Sequence, residues 1–235
     1  MLSADTKLAC VPHEVIRGGI MASTNTLQRI LDSGIVAIMR AKSSDQLLAA
    51  ADAIRAGGVN VIEVTMTTPG ALEVISQAVR RQDATVLFGA GSVLDPESAR
   101  AAILAGAQFI VCPTLNLGVI ELCRRYSIPV MPGAYTPTEA LTAWQAGADI
   151  VKIFPADIGG PAYIKALKAP LPQIRLAPVG GVDIDNTADF IRAGADCVGV
   201  GSSLVNQKLL EAKDFAAITE RARRFREEVE KGRAS

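Results

Sequence analysis

Histidine is almost missing from this sequence. The 235-residue chain holds one, His13, inside its first twenty residues. Without other imidazoles, Ser-His-Asp triads, Cys-His pairs and histidine-ligated metal sites are disfavoured, so no metal is expected and protons must be moved by another group. Cysteines are few as well: Cys10, Cys112, Cys123 and Cys197, none in CxxC spacing. That argues against a zinc cluster, a redox motif or a disulfide framework, and suits a reducing cytoplasm. Cys112, near the end of a predicted strand, reads as a small buried hydrophobe rather than a nucleophile. Aromatic residues make up only 4% of the chain, and the 24 Lys and Arg balance 24 Asp and Glu, leaving no net charge. No basic patch stands out, so nothing electrostatic recruits nucleic acid. The apolar stretches are strand-sized and interrupted, which gives no membrane-spanning candidate and no membrane partner. The opening segment lacks the apolar core of a signal peptide. Residues 1–22 read as a poorly ordered tail and 23–235 as one domain; Met21, opening "MASTNTLQRILDSG", reads as a natural start.

What the chain has in quantity is a repeating unit. Hydrophobic residues reach 49%, and short β-branched runs alternate with helical segments about every 20–25 residues, as in parallel βαβ folds. The predicted strands cover 35–40, 61–66, 86–91, 109–113, 130–134, 150–155, 175–180 and 197–202. In "SSDQLLAAADAIRAG" Ser44 is a cap candidate and Gly57 a stop. "PESARAAILAG" and "TPTEALTAWQAG" each place proline in a first turn and glycine at the end. Eight strand–helix units predict a single-domain (β/α)8 TIM barrel, α/β in class, with a short helix near 24–32 closing the bottom. The competing open, doubly wound sheet carries a glycine-rich turn after its first strand; "IVAIMRAKSS" has none. The last segment, "FAAITERARRFREEVEKGR", reads as an amphipathic helix whose charges form a solvated face.

In a barrel, chemistry belongs at the C-terminal ends of the strands. Side chains alternate along a strand, so Glu63 and Thr65 share one face of "VIEVTM", and Lys152 and Phe154 share one face of "IVKIFP". The outer faces pack on apolar helices, which sends Glu63 and Lys152 into the lumen. Of eight lysines, Lys152 alone lies within an apolar strand. Two readings stand. Lys152 is a structural ion-pair partner or phosphate ligand, or it is a nucleophile whose amine, kept neutral by desolvation and by the like charge of Arg40, forms a Schiff base. Glu63 is then the acid/base candidate; otherwise it is a counter-ion. The glycine turns Gly180-Gly181 and Gly199 to Ser202 suit a phosphate, whose oxygens can approach bare backbone N–H groups.

Together these segments resemble a known family, the 2-keto-3-deoxy-6-phosphogluconate (KDPG) and 4-hydroxy-2-oxoglutarate (KHG) aldolases. The resemblance runs from about Ile35 to Val205 through "IVAIMRA", "GGVNVIEVTMTTP", "FGAGSVLDPE", "GAQFIVCPTLN", "MPGAYTPTEA", "VKIFPADIGGPAYIKALKAPLP" and "LAPVGGVDIDN". It implies a cofactor-free class I aldolase, a homotrimer, acting on a small phosphorylated keto-deoxy sugar acid. By position, Lys152 matches the Schiff-base lysine and Glu63 the acid/base glutamate. Arg40 and Ser92 match the substrate-carboxylate end, and Pro113 the pyruvate pocket. Phe154 is counted with the substrate-binding residues, and Gly180, Gly181, Gly201 and Ser202 match the phosphate site. Three positions depart from the pattern. Thr67 stands where some members carry arginine, Cys112 replaces a serine, and Val179 replaces a threonine near the aldehyde-derived part of the substrate. Val179 and "GPAYIKALKAPLP" are similar to the phosphogalactonate branch, which leaves the C4 epimer open.

Overall fold

The apolar runs become parallel strands. The computed structural model describes residues 25–40, 43–81 and 85–234; the tail over 1–22, with Cys10, His13 and the Met21 start, lies outside the described residues. A helix over 25–33 (α1) comes first. It is followed by β1 (Ile35–Met39), α2 (Ser44–Ala56), β2 (Val61–Thr65), α3 (Ala71–Arg81), β3 (Leu87–Gly91) and α4 (Pro96–Leu104). Next come β4 (Ile110–Val111), α5 (Leu117–Arg125), β5 (Val130–Met131), β6 (Gly133–Ala134) and α6 (Pro137–Ala146). The chain closes with β7 (Val151–Ile153), α7 (Gly160–Lys168), β8 (Leu176–Pro178), α8 (Ile184–Arg192), β9 (Val198–Val200), α9 (Gln207–Ala212) and α10 (Phe215–Arg233).

The strands form two arcs, β5-β4-β3-β2-β1-β9 and β6-β7-β8. Pro132 separates β5 from β6, so these two segments are one barrel strand broken in the middle. A proline has no N–H to give to a ladder, but the Pro132 carbonyl still accepts the Lys152 N–H at 2.9 Å. A single parallel bridge, Val179 to Gly199, joins β8 to β9 and completes the circuit. The expected barrel is therefore present, with its fourth strand and its last three strands (β7, β8 and β9) markedly shorter than the sequence suggested.

The local signals for the helices hold with one shift. Ser43, not Ser44, caps α2: its backbone is extended and its side chain accepts from the Gln46 N–H. Asp95 caps α4 ahead of Pro96, and Thr136 with Glu139 forms a capping box on α6. The α6 helix ends on Gly147 at φ 99°, a left-handed conformation that favours glycine.

Two apolar layers result from the two-residue strand period. Ile62, Val64, Val151 and Ile153 point outward into the shell between strands and helices. Val36, Val61, Leu87, Phe109, Val111, Met131, Ile150, Ala177 and Cys197 point inward and fill the barrel, with Ile30 of α1 packed among them. The Phe109 ring occupies the space beside Gly89, where an added Cβ would sit 2.4 Å from it. The barrel bottom is thus a solid plug, and any reacting group must lie above it. The last helix, α10, closes the wall against α2 and α8. No helix among the described residues is long and apolar enough to cross a membrane.

Candidate active site

Glu63 and Lys152 stand directly above the plug. Glu63 projects from β2 and Lys152 from β7, and they are only 2% and 6% exposed. With Val36, Val111, Met131, Ala177, Val179 and Gly199 they line a space of about 10 Å3, room for roughly one water. Gly91 makes this placement possible. A Cβ there would lie 1.7 Å from Glu63 Oε1, so only glycine leaves the carboxylate its position.

Burial sets the protonation of both groups. It raises the Glu63 pKa, against the attraction of Lys152 and Arg40. It lowers the Lys152 pKa, against the attraction of Glu63 and Cys112, and Arg40 lowers it further as a like charge. The carboxyl is moved toward holding a proton and the amine toward losing one. The Lys152 Nζ lies 4.9 Å from the centre of the Phe154 ring. Phe154, 40% exposed, therefore caps the lysine on the side facing solvent.

A larger cavity of about 300 Å3 opens above. Arg40, Phe154, Val179, Gly180, Gly181, Gly201 and Ser202 all line it, so the structure brings seven of the sequence-predicted residues together. Val179 borders both this cavity and the inner space. Gly180 and Gly181 have φ of 92° and 69°, and a Cβ at Gly201 would meet nothing within 4 Å. These turns present bare backbone to the cavity. Ser203 ties the two turns together by donating to the Val182 carbonyl at 2.6 Å.

Ser92 and Pro113 end β3 and β4 but line neither of these two spaces. Ser92 sits at φ 59°, strained for a residue with a side chain. Thr65, fully buried, shares hydroxyl contacts with Thr67 at 3.0 Å and Thr68 at 3.3 Å at the end of β2. Sequence reasoning passed over Ile38, Val182, Asp183 and Ser203 of the upper cavity. Asp183 was findable, since "GGVD" puts an acidic cap at the start of α8, where its carboxylate accepts the Ile184 N–H at 2.6 Å. Cys112 is buried, and its thiol is pushed up to about 12 by burial, which suits the hydrophobe reading. Among the described residues no cluster of His, Cys, Asp and Glu is arranged to hold a metal.

The upper cavity offers a cation and bare backbone for anionic groups, and the inner space a reactive amine beside a proton carrier. Known proteins resemble this chain over most of its length. The model of the KDPG and KHG aldolase family matches residues 27–221. The chain is 36% identical over 194 residues to the 2-dehydro-3-deoxy-phosphogluconate aldolase of Treponema pallidum, covering 82% of this chain and 90% of that one. It is 41% identical over 171 residues to the 2-dehydro-3-deoxy-6-phosphogalactonate aldolase of Escherichia coli, covering 72% and 83%. Among solved structures, one described as native KDPGal superposes with TM-score 0.80 at 35% identity, covering 86% of this chain and 96% of that one. The KDPG aldolase of Legionella pneumophila, holding pyruvate as a covalent carbinolamine, superposes with TM-score 0.79 at 28% identity, covering 84% and 96%. With this fold, this pair of buried groups and relatives matched over most of their length, the chain belongs to the KDPG and KHG aldolase family.

Proposed function

We propose that the protein is a class I aldolase that cleaves 2-keto-3-deoxy-6-phosphogluconate to pyruvate and D-glyceraldehyde 3-phosphate. The observation that carries this reading is the pair of buried groups: a lysine moved toward its neutral form beside a carboxyl moved toward its protonated form. A neutral amine is the form that attacks a ketone. Lys152 Nζ adds to C2 of the substrate, and Glu63 relays the protons as the carbinolamine loses water. The iminium draws the electron pair of the C3–C4 bond as it breaks, while the C4 hydroxyl gives its proton to Glu63, directly or through one water. The enamine takes a proton at C3, and water releases pyruvate and the free lysine. Arg40 and Ser92 hold the carboxylate, Pro113 borders the pyruvate end, and Phe154 and Val179 border the reacting carbons. Gly180, Gly181, Gly201 and Ser202 receive the phosphate. No cofactor or metal enters these steps. A homotrimer of single barrel domains in the cytoplasm, serving Entner–Doudoroff carbohydrate breakdown, completes the reading.

A second reading differs only at C4. Val179 places methyl groups where a hydroxyl would offer a hydrogen bond, worth about 1 kcal/mol, and the Escherichia coli phosphogalactonate relative is 41% identical. The galactonate epimer is therefore the first competitor, and 4-hydroxy-2-oxoglutarate, which has no phosphate, the second. Pyruvate release from the three compounds, measured with and without EDTA, decides among them. The proposal expects the gluconate acid to have the highest kcat/KM, with EDTA neutral. A higher kcat/KM for either competitor reassigns the substrate, and release of pyruvate from none of them removes the aldolase reading in favour of a phosphate-binding barrel without this chemistry.

A further inference from the structure

Beyond the glycine turns, a second cleft of about 510 Å3 continues the upper cavity; Asp183, Ser202 and Ser203 line both. Its far wall is α10, which supplies Arg221 and Arg224. The helix carries six cations, and four of them are satisfied by its own glutamates. Arg223 pairs with Glu220 at 2.6 Å and with Glu227, Arg226 with Glu230 at 2.6 Å, Arg233 with Glu230 at 3.4 Å and Lys231 with Glu228 at 3.3 Å. Of these six, Arg221 and Arg224 have no carboxylate within 4.0 Å among the described residues.

Those same two face the cleft. Arg221 donates to the Ser203 carbonyl at 3.1 Å, which fixes its guanidinium against the turn that follows β9. Within that turn the Leu204 and Val205 N–H groups both reach back to the Gly201 carbonyl at 3.0 Å. The cleft's other charge, Asp183, is engaged at the start of α8. Glu220 also attracts Arg224, but its carboxylate is held by Arg223. Two guanidiniums outside any ion pair thus stand beside the glycine turns, and the planar donors of a guanidinium match the oxygens of a phosphate. Arg224 lies beyond the family-matched span, which ends at residue 221.

We infer that Arg221 and Arg224 form the outer wall of the phosphate site and set the preference for phosphorylated over unphosphorylated substrate. This rests on the aldolase reading above. Arg221 is a positioning residue for the turn as well as a charge; Arg224 contributes charge to the phosphoryl oxygens.

The test combines kinetics with direct binding. In R224A, KM for the phosphorylated acid is expected to rise roughly fivefold, the loss of one exposed charge-assisted contact, with kcat within about twofold. The affinity for inorganic phosphate, measured by calorimetry, falls by a similar factor, and R224K recovers most of both. The ratio of kcat/KM between the phosphorylated acid and 4-hydroxy-2-oxoglutarate narrows. Unchanged KM and unchanged phosphate affinity in both R224A and R221A overturn the inference while leaving the aldolase reading intact. If the wild-type protein forms no imine with pyruvate, the aldolase reading is what fails. The phosphate titration then decides the site alone: affinity lost in R224A supports it, and equal affinity in both proteins ends it.

Discussion

Two lysines of this molecule are withdrawn from water, and their surroundings give them different roles. Lys168, near the end of α7, has a side chain 19% exposed and donates to the Ile174 carbonyl at 2.8 Å and to Asp196 at 2.9 Å. Asp196 in turn accepts the Leu176 N–H at 2.9 Å, so the pair stitches a helix end to the start of β8. Lys152 is more deeply buried, faces an aromatic ring and senses Glu63 as a charge across the lumen. An ammonium tied to fixed acceptors joins elements of the fold, whereas Lys152, more deeply buried, is moved by that burial toward its neutral, reactive form.

That contrast can be broken most sharply by removing each amine in turn. K152M is expected to abolish cleavage, by about 10^4-fold or more, because the covalent step has no other nucleophile. K168M is expected to keep kcat and to lose about 2 kcal/mol of stability, a value reduced from a fully buried pair because both partners are partly wet. Pyruvate release and urea unfolding measure the two effects. Activity surviving in K152M, or lost in a folded K168M, reverses the assignment.

Glu63 sharpens the comparison from the other side. E63Q is expected to slow cleavage by roughly 10^2- to 10^4-fold, the range for a proton-transfer group. Its stability moves the other way. A carboxyl whose folded pKa is raised from 4.5 contributes stability below that value and loses it as pH rises through the folded pKa. The double variant E63Q/K152M removes both buried charges and is expected to be about 1–4 kcal/mol more stable than wild type at pH 7. Urea midpoints at pH 7 check this; for E63Q alone, the difference from wild type is expected to shrink at pH 4, where the raised pKa leaves the carboxyl protonated.

Two glycines give the smaller effects. G91A drives a methyl into Glu63 Oε1 and is expected to cost about 1–3 kcal/mol of stability as overpacking, together with roughly tenfold or more in kcat. G201A meets no atom within 4 Å, so its stability should stay within about 0.5 kcal/mol. Its added methyl narrows the cavity, and KM for the phosphorylated acid should rise severalfold. Equal effects from the two substitutions would mean that the inner space and the outer cavity are not separate parts of one site.

Much of this was legible in the sequence, for reasons that differ from place to place. The strand–helix alternation is written in β-branched runs and capped turns, and the two-residue period alone sends Glu63 and Lys152 inward. The break at Pro132 was visible as a proline but not as a division of the sheet, since the ladder it interrupts belongs to neighbours far along the chain. Ser43 and Ser44 both suit a cap, and only the backbone angle chooses between them. Ser92 and Pro113 fell at the right strand ends by position, yet which cavity a strand end meets depends on barrel curvature. Arg221 and Arg224 were read with the rest of α10 as a solvated face. Their difference from the neighbouring arginines lies in which glutamates the helix brings close and in which cleft the helix overlies.

The most direct measurement is to incubate the protein with pyruvate and borohydride across a pH series, with and without EDTA, and to locate the adduct by peptide mass. The account predicts one reduced adduct, on Lys152, unaffected by EDTA. It should form with a pH midpoint below the ordinary lysine value of 10.5, since burial lowers the Lys152 pKa. No adduct, or one spread over the exposed lysines, would contradict it and return Lys152 to the structural role that Lys168 already fills.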